Sequence, residues 1–391
     1  MRHRFADPKS AREVRARKPV LAAIDRFWKA FARRTKDLDD LFSSKKSWDL
    51  PAWMEDHLGR VSPALMWEYG PALRGDGHRL VITSESEIGL RPLVDLVLAR
   101  APKIRGWDFL PHRPRERASL LAPTVEARTG RPLPAMRVKV EPREDAIALR
   151  FEVAGCRGPR DDKALSAAWV AAETLLGEAA VETWIAAIEV APLAKRAPRG
   201  AVAPAGLARA FDAAVRALRA ELPKRRSSRL GAGSSAALIE VEPRGKGDFP
   251  GRSDGFVFVS ARPEILVAAA RPGVFDSARF SRFGERFAYV KIDGSKGLTG
   301  SDFGDRDDVE QALDRALGPK KLGAVFGGGT GLRYSYVDLA LTDLDRGARA
   351  AAAALRAGKI PKRTWILFFD DALQEEWVGV YDDTPAPPAA R

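Results

Sequence analysis

Apolar residues in this chain recur with a helical period in some stretches and alternate with polar ones in others, and the switches between the two patterns set out an ordered series of elements. From Pro19 the pattern is helical, with Val20, Ile24, Phe27 and Phe31 on one stripe and Leu21 and Trp28 beside it. A second helix is predicted from Pro51, with Asp49 as its cap and Trp53, Met54 and Leu58 facing inward. Two strands follow, Ala64–Tyr69 and His78–Ser84, joined by a loop carrying Gly75-Asp76-Gly77. Leu90, Leu93, Val94, Val97 and Leu98 have the spacing of a packed helix, and Gly106–Leu110 reads as a strand. A weaker helix over 116–128 leads to strands Met136–Val140 and Ala146–Val153. A helix over Asp162–Leu176 is stopped by Gly177, and Thr183–Val190 alternates as a strand.

The second half repeats this order. A helix on Leu207, Phe211, Val215, Leu218 and Leu222 precedes a loose basic stretch, Pro223–Ser235. Strands are predicted at Ala237–Val241 and Gly255–Ser260, a helix from Pro263, a strand at Phe287–Ile292 and a helix over Asp307–Leu317. A hairpin turns at Gly327–Gly331, and its second strand carries Val337, Leu339 and Leu341. A helix over Leu344–Leu355 and an apolar strand, Thr364–Phe369, complete the series.

Both halves therefore read α-ββαβ-α-ββαβ, and two short identities fall at near-equal offsets: Asp76-Gly77 with Asp254-Gly255, and Thr183-Trp184-Ile185 with Thr364-Trp365-Ile366. The expected fold class is α+β, as two tandem similar units. Each would carry ferredoxin-like mixed or antiparallel sheets with helices on one face, the ferredoxin-like runs being Gly106–Val190 and Phe287–Phe369. The expected organisation is a basic tail (1–18), an N-terminal unit (19–191), a linker (192–206), a C-terminal unit (207–383) and a disordered tail (384–391).

Composition narrows the class. At 391 residues the chain suits two domains, and 45% apolar with 30% charged residues is ordinary for a globular protein. No apolar run reaches the roughly 20 residues of a membrane span. The basic N-terminus lacks the apolar segment of a secretory signal, and a single cysteine, Cys156, suits a reducing compartment, so a cytoplasmic location is expected. The richness in Ala and Arg matches high-GC bacterial coding. The net charge of +13 is concentrated. Residues 1–35 hold eleven Arg and Lys against three acids, and residues 195–230 hold ten against two. These two segments are the candidate nucleic-acid contacts, although a solvated connector is the favoured reading.

Candidate chemistry is sparse. The acidic run Asp302, Asp305, Asp307, Asp308, Glu310 lacks the spacing of a calcium loop and suits helix capping. Gly327–Gly331 resembles a phosphate loop in composition but precedes a strand, so a mobile hairpin turn is expected; the alternative is a ligand-contacting flap that includes Gly328, with Tyr334 and Tyr336 on the exposed face beside it. Ser281-Arg282-Phe283-Gly284-Glu285 pairs an arginine with a glutamate and suits a structural ion pair before a strand. The four histidines share no ligand spacing, and no nucleophile, metalloprotease, phosphate-loop or dinucleotide pattern occurs in context, so neither a metal nor a cofactor is expected.

Phe27-Trp28 with Phe31, Gly106-Trp107, Leu176-Gly177-Glu178 and Phe280-Ser281-Arg282-Phe283-Gly284-Glu285 resemble patterns in uncharacterised bacterial cytosolic proteins of the domain-of-unknown-function type. The resemblance spans most of the chain, its motifs are structural in character, and it implies no activity. The expectation is a non-catalytic cytosolic binding or regulatory protein, of the immunity or partner-binding kind, with a protein partner and no membrane. The alternatives are an enzyme with a site near Arg282, Glu285, Asp302 and Asp305, and a nucleic-acid binder acting through the basic segments. The candidate binding residues are Arg282, Glu285, Asp302, Asp305, Gly328, Tyr334 and Tyr336.

Overall fold

The computed structural model describes residues 1–229, 235–245 and 247–388. Residues 230–234 of the Pro223–Ser235 stretch and 389–391 of the expected C-terminal tail lie outside them. The protein is a mixed α/β fold with ten α-helices among the described residues and both mixed and antiparallel sheets. It divides into two compact units, residues 18–222 and residues 1–17 with 223–391. No single helix among the described residues is long and apolar enough to cross a membrane.

The 18–222 unit takes the greater part of α1 (Ala11–Phe42), from residue 18 on, and then α2 (Leu50–His57), the latter capped by Asp49, whose side chain accepts from the Ala52 N–H. Strands β1 (Met66–Pro71) and β2 (His78–Thr83) form a hairpin, and α3 (Arg91–Ala99) crosses to β3 (Trp107–Leu110), which lies parallel to β2. The predicted stripe is the core here. Ile24, Phe27, Trp28 and Phe31 meet Leu80, Ile82, Val94 and Val97, and the Trp28 indole N–H donates to the Val97 carbonyl at 2.8 Å.

The same strand–strand–helix–strand order then recurs. After α4 (Leu121–Thr129), β4 (Met136–Pro142) and β5 (Ile147–Val153) pair antiparallel, and α5 (Asp162–Leu176) with α6 (Glu178–Trp184) leads to β6 (Ile185–Pro192), parallel to β5. Helices pack on one face of this sheet, over Val138, Leu149, Phe151 and Val190. The other face is polar, with Arg137 paired to Glu152 at 3.0 Å and Lys139 to Glu141 at 2.9 Å.

Three expectations change. First, α7 (Leu207–Glu221) belongs to this unit, not to the next: Leu207, Phe211 and Ala214 are buried in the same core as α5. An amphipathic helix goes where its apolar stripe finds a matching surface, and a Pro- and Ala-rich connector before it does not decide which side that is. Second, Gly106–Val190 does not close into one four-stranded sheet, because β3 pairs with β2 and β4–β6 form a separate sheet. Third, Thr183 and Trp184 end α6, whereas Thr364 and Trp365 begin a strand, so this matched tripeptide occupies different structures in the two halves.

The second unit is built on a seven-stranded antiparallel sheet. Its members in chain order are β7 (Ala237–Glu240), β8 (Gly255–Ser260), β9 (Arg286–Asp293), β11 (Gly323–Gly331), β12 (Tyr334–Leu341), β13 (Thr364–Phe368) and β14 (Val378–Gly379), with β10 (Ser295–Leu298) a short strand outside it. The order across the sheet is β14-β13-β9-β12-β11-β8-β7. The helices are α8 (Pro263–Ala270), α9 (Arg306–Leu317) and α10 (Leu344–Ala357). Strand alternation sorts the side chains. Ala288, Val290, Ile292, Val337, Leu339 and Ile366 meet α9 and α10, while Phe287, Tyr289, Tyr334, Tyr336, Trp365 and Leu367 form an aromatic core on the opposite face. That second face is not free: Phe249, Phe275, Phe280 and the Ile265 side chain of α8 close over it.

The glycine run is likewise not a mobile turn. Gly327–Thr330 pair with β8 on one side and β12 on the other, and the chain reverses at Leu332 and Arg333. Glycine is needed for space: a Cβ on Gly329 would lie 1.9 Å from the Phe258 ring, and one on Gly331 would lie 2.3 Å from the Asp254 carboxylate. Gly329→Ala is therefore expected to cost roughly 1–3 kcal/mol through overpacking. The check is the urea midpoint, and a midpoint equal to the wild type would refute the packing account.

The terminal segments are packed as well. Arg2 is buried, stacks over the Trp377 ring at 3.5 Å and donates to the Trp377 carbonyl at 2.6 Å, and Phe5 stacks on Phe368. Thr384 is buried, and the Trp365 indole N–H donates to the Pro385 carbonyl at 2.6 Å. Burial of an aromatic surface under an arginine holds a basic segment that composition alone marks as loose.

Candidate functional site

The residues singled out by sequence separate into structural roles. Glu285 is buried and accepts from the Ser227 N–H at 2.8 Å and the Ser281 hydroxyl at 2.7 Å, while Arg282 is exposed. Asp305 caps α9 by accepting from the Asp308 N–H at 3.1 Å, and Asp302 pairs on the surface with Lys359 at 2.9 Å. Asp305 is the helix cap its context suggested, whereas Asp302 is held by a lysine on the surface and not by a cap. Gly328 is an interior strand residue. Tyr334 and Tyr336 are 1% and 0% exposed, which corrects their assignment to an exposed face. The alternation was right and the face was wrong, because both faces of this sheet are covered.

The two tyrosines belong to a buried ionic cluster that sequence reasoning missed. Lys291, fully buried in β9, lies with its ammonium 4.0 Å over the Tyr334 ring and donates to the Phe249 carbonyl. Burial lowers its pKa to about 8, opposed by Asp254 and Asp248. Asp254, also fully buried, accepts from the Arg333 and Tyr334 N–H groups at 2.9 and 2.8 Å and from the Tyr336 hydroxyl. Asp338 is buried against Arg252, whose guanidinium sits 4.2 Å from the Phe258 ring centre and 5.1 Å from those of Tyr289 and Tyr336. Burial raises the Asp338 pKa, with Arg252 pulling the other way. At the rim, Asp293 takes Arg333 at 2.9 Å and Arg363 at 2.7 Å, and these bonds overcome its desolvation and hold it well below the usual carboxylate range. The sequence signal was a lone lysine in an apolar strand, Phe287-Ala288-Tyr289-Val290-Lys291-Ile292.

The 18–222 unit has a second network, at the C-terminal ends of the parallel pair β2 and β3. Glu178 is buried and accepts from the Arg113 N–H and from Arg91, both at 2.9 Å, and from the Thr83 hydroxyl. These partners outweigh desolvation and lower its pKa. Arg91 also donates to the Pro111 carbonyl at 2.7 Å, and Arg113 to Glu68 at 2.9 Å. Glu85 beside them holds a left-handed backbone, φ 44°. Gly177 lets the chain reach this position, since a Cβ there would meet the Arg115 nitrogen at 3.0 Å. In both networks the charged groups are engaged by internal partners: Glu178, Asp293 and Asp338 by arginines, Asp254 by two backbone N–H groups and the Tyr336 hydroxyl, and Lys291 by the Phe249 carbonyl and the Tyr334 ring.

A different kind of surface lies at the β7 end of the seven-stranded sheet. Leu238 is 64% exposed, Val241 42% and Phe256 40%. A groove of about 540 Å³ runs between Glu240, Val241, Glu242, Phe256 and Val257. β7 pairs with β8 on one side only, and among the described residues no strand pairs with its outer edge. Natural sheets shield apolar edge strands because their free N–H and C=O groups template further pairing. None of the candidate residues read from sequence lies here, since alternation in Ala237–Glu242 marks a strand but not that it ends a sheet.

Among the described residues no group of three or more His, Cys, Asp or Glu is placed to hold a metal ion. Comparison with family models, with curated proteins and with solved structures gives no match to this chain.

Proposed function

We propose that this is a non-catalytic binding protein, of regulatory or partner-holding type, that docks another protein on the open β7–β8 end of its seven-stranded sheet. The observation that carries this reading is the contrast between two kinds of group. The buried ionic side chains are committed to internal bonds, while three large apolar side chains stay exposed along an unpaired edge. Such a patch on an edge strand is the usual mark of an interaction site. The reading takes β9-α9-β11-β12-α10-β13 as a ferredoxin-like support for that edge; the order β13-β9-β12-β11, antiparallel throughout with both helices on one face, speaks for this. An ancestral duplication of the halves has in its favour the repeated strand–strand–helix–strand order.

The test is site-specific photocrosslinking in the native host. A photoreactive residue at Leu238 is expected to trap one partner of defined mass, and one at exposed Lys296 is not. The same products from both positions, or none from Leu238, would reject the docking site.

A further inference from the structure

We infer that the occupant of the β7 edge is an extended segment of a partner protein in which apolar and basic residues alternate, added to the sheet as an eighth strand. This rests on the docking reading above and deepens it. The inner side of β7 is set by its pairing: Ile239 opposes Phe258, and the Val241 N–H donates to the Phe256 carbonyl at 3.0 Å. In an antiparallel ladder successive residues direct their backbone groups to opposite sides. The N–H and C=O groups of Leu238, Glu240 and Glu242 therefore point away from β8, and they are the template for an added strand.

Side-chain alternation then fixes the chemistry of the incoming strand. One face of the edge carries Ile239 and Val241, continuous with Phe256 and Phe258 on β8. The other carries Leu238, Glu240 and Glu242, beside Val257 and Val259. A strand laid along β7 places alternate side chains on these two faces. Those beside Ile239 and Val241 must be apolar. Those beside Glu240 and Glu242 are best as Lys or Arg, since opposite charges directly across a sheet stabilise and like charges destabilise. Charge also argues against a second copy of this chain, because pairing β7 with itself brings Glu240 and Glu242 of each copy to one seam.

The experiment uses the full chain and labelled synthetic peptides read by fluorescence anisotropy at two salt concentrations. An alternating Val-Lys peptide is expected to bind at least about tenfold tighter than its Val-Glu counterpart. Methylating the backbone nitrogens on one side of the Val-Lys peptide is expected to abolish binding, and on the other side to spare it, which separates strand addition from simple charge attraction. The E240K/E242K variant is expected to reverse the preference between the two peptides. Equal binding of both peptides, indifference to backbone methylation, or no binding would overturn the inference. Concentration-dependent dimerisation that L238K abolishes would also overturn it, in favour of a second copy. If Leu238 crosslinks a partner in the host while the Val-Lys peptide fails, the docking surface stands and only this account of its occupant falls.

Discussion

Replacing Glu178 with alanine is expected to destabilise the 18–222 unit by about 3–5 kcal/mol, the usual cost of stripping one partner from a buried ionic network. The change leaves the Arg113 N–H, held at 2.9 Å, and the Thr83 hydroxyl without this acceptor, and takes from Arg91 its buried carboxylate at 2.9 Å, leaving it Glu182 and the Pro111 carbonyl. Arg91 itself is buried, so its charge cannot be rehydrated without opening the structure. E178Q keeps the shape and one good acceptor and is expected to lose less. Urea unfolding of the full chain measures both, and a loss below about 1 kcal/mol for E178A would refute the lock. The pH dependence has a fixed sign. Because the folded pKa of Glu178 is lowered, its contribution is present above the ordinary glutamate range and fades as pH falls through the folded value.

Stability is expected to rise with pH between about 8 and 10. Lys291 drives this. Its folded pKa is about 8, lowered by burial, while the unfolded chain holds its proton to about 10.5. Asp254 and Asp248 raise that value and Arg363 and Arg333 lower it further, while the ammonium donates to the Phe249 carbonyl and lies 4.0 Å from the Tyr334 ring centre. Between the two values the unfolded state binds more protons, so raising the pH favours the fold, by up to about 3 kcal/mol. Above about 10 the sign reverses. Burial pushes Tyr289 and Tyr334 up to about 12, and Tyr336 higher still, so the unfolded chain loses phenolic protons that the folded one keeps. K291M removes the first effect and leaves the second. Unfolding free energies at a series of pH values test this. A rise between 8 and 10 that persists in K291M would assign it to another group.

Much of the fold is legible from periodicity. The stripe Ile24, Phe27, Phe31, the cap Asp49, the helix Asp162–Leu176 and the capping role of Asp305 are local patterns, and local patterns are written in neighbouring residues. Pairing is not local. Nothing in β3 says that it joins β2 and not β4, or in β9 that it separates β12 from β13. The same gap hid the candidate surface. Leu238 and Glu240 look like any strand until the sheet order places β7 at its end. Tyr334 and Tyr336 look exposed until the aromatic cluster on their face, with Trp365 against the one and Phe258 and Tyr289 against the other, is seen to enclose them.

Spacing and backbone preferences within a few residues are enough to give the mixed α/β class, the order and type of most elements, and the helix caps. Only long-range packing makes the glycine run the interior of a strand, brings α7 into the first unit, turns Lys291 and Glu178 into internal locks, and leaves the outer side of β7 without a partner strand among the described residues. Each of these depends on which distant surfaces meet, and burial, pairing and pKa are properties of that meeting rather than of any stretch of chain.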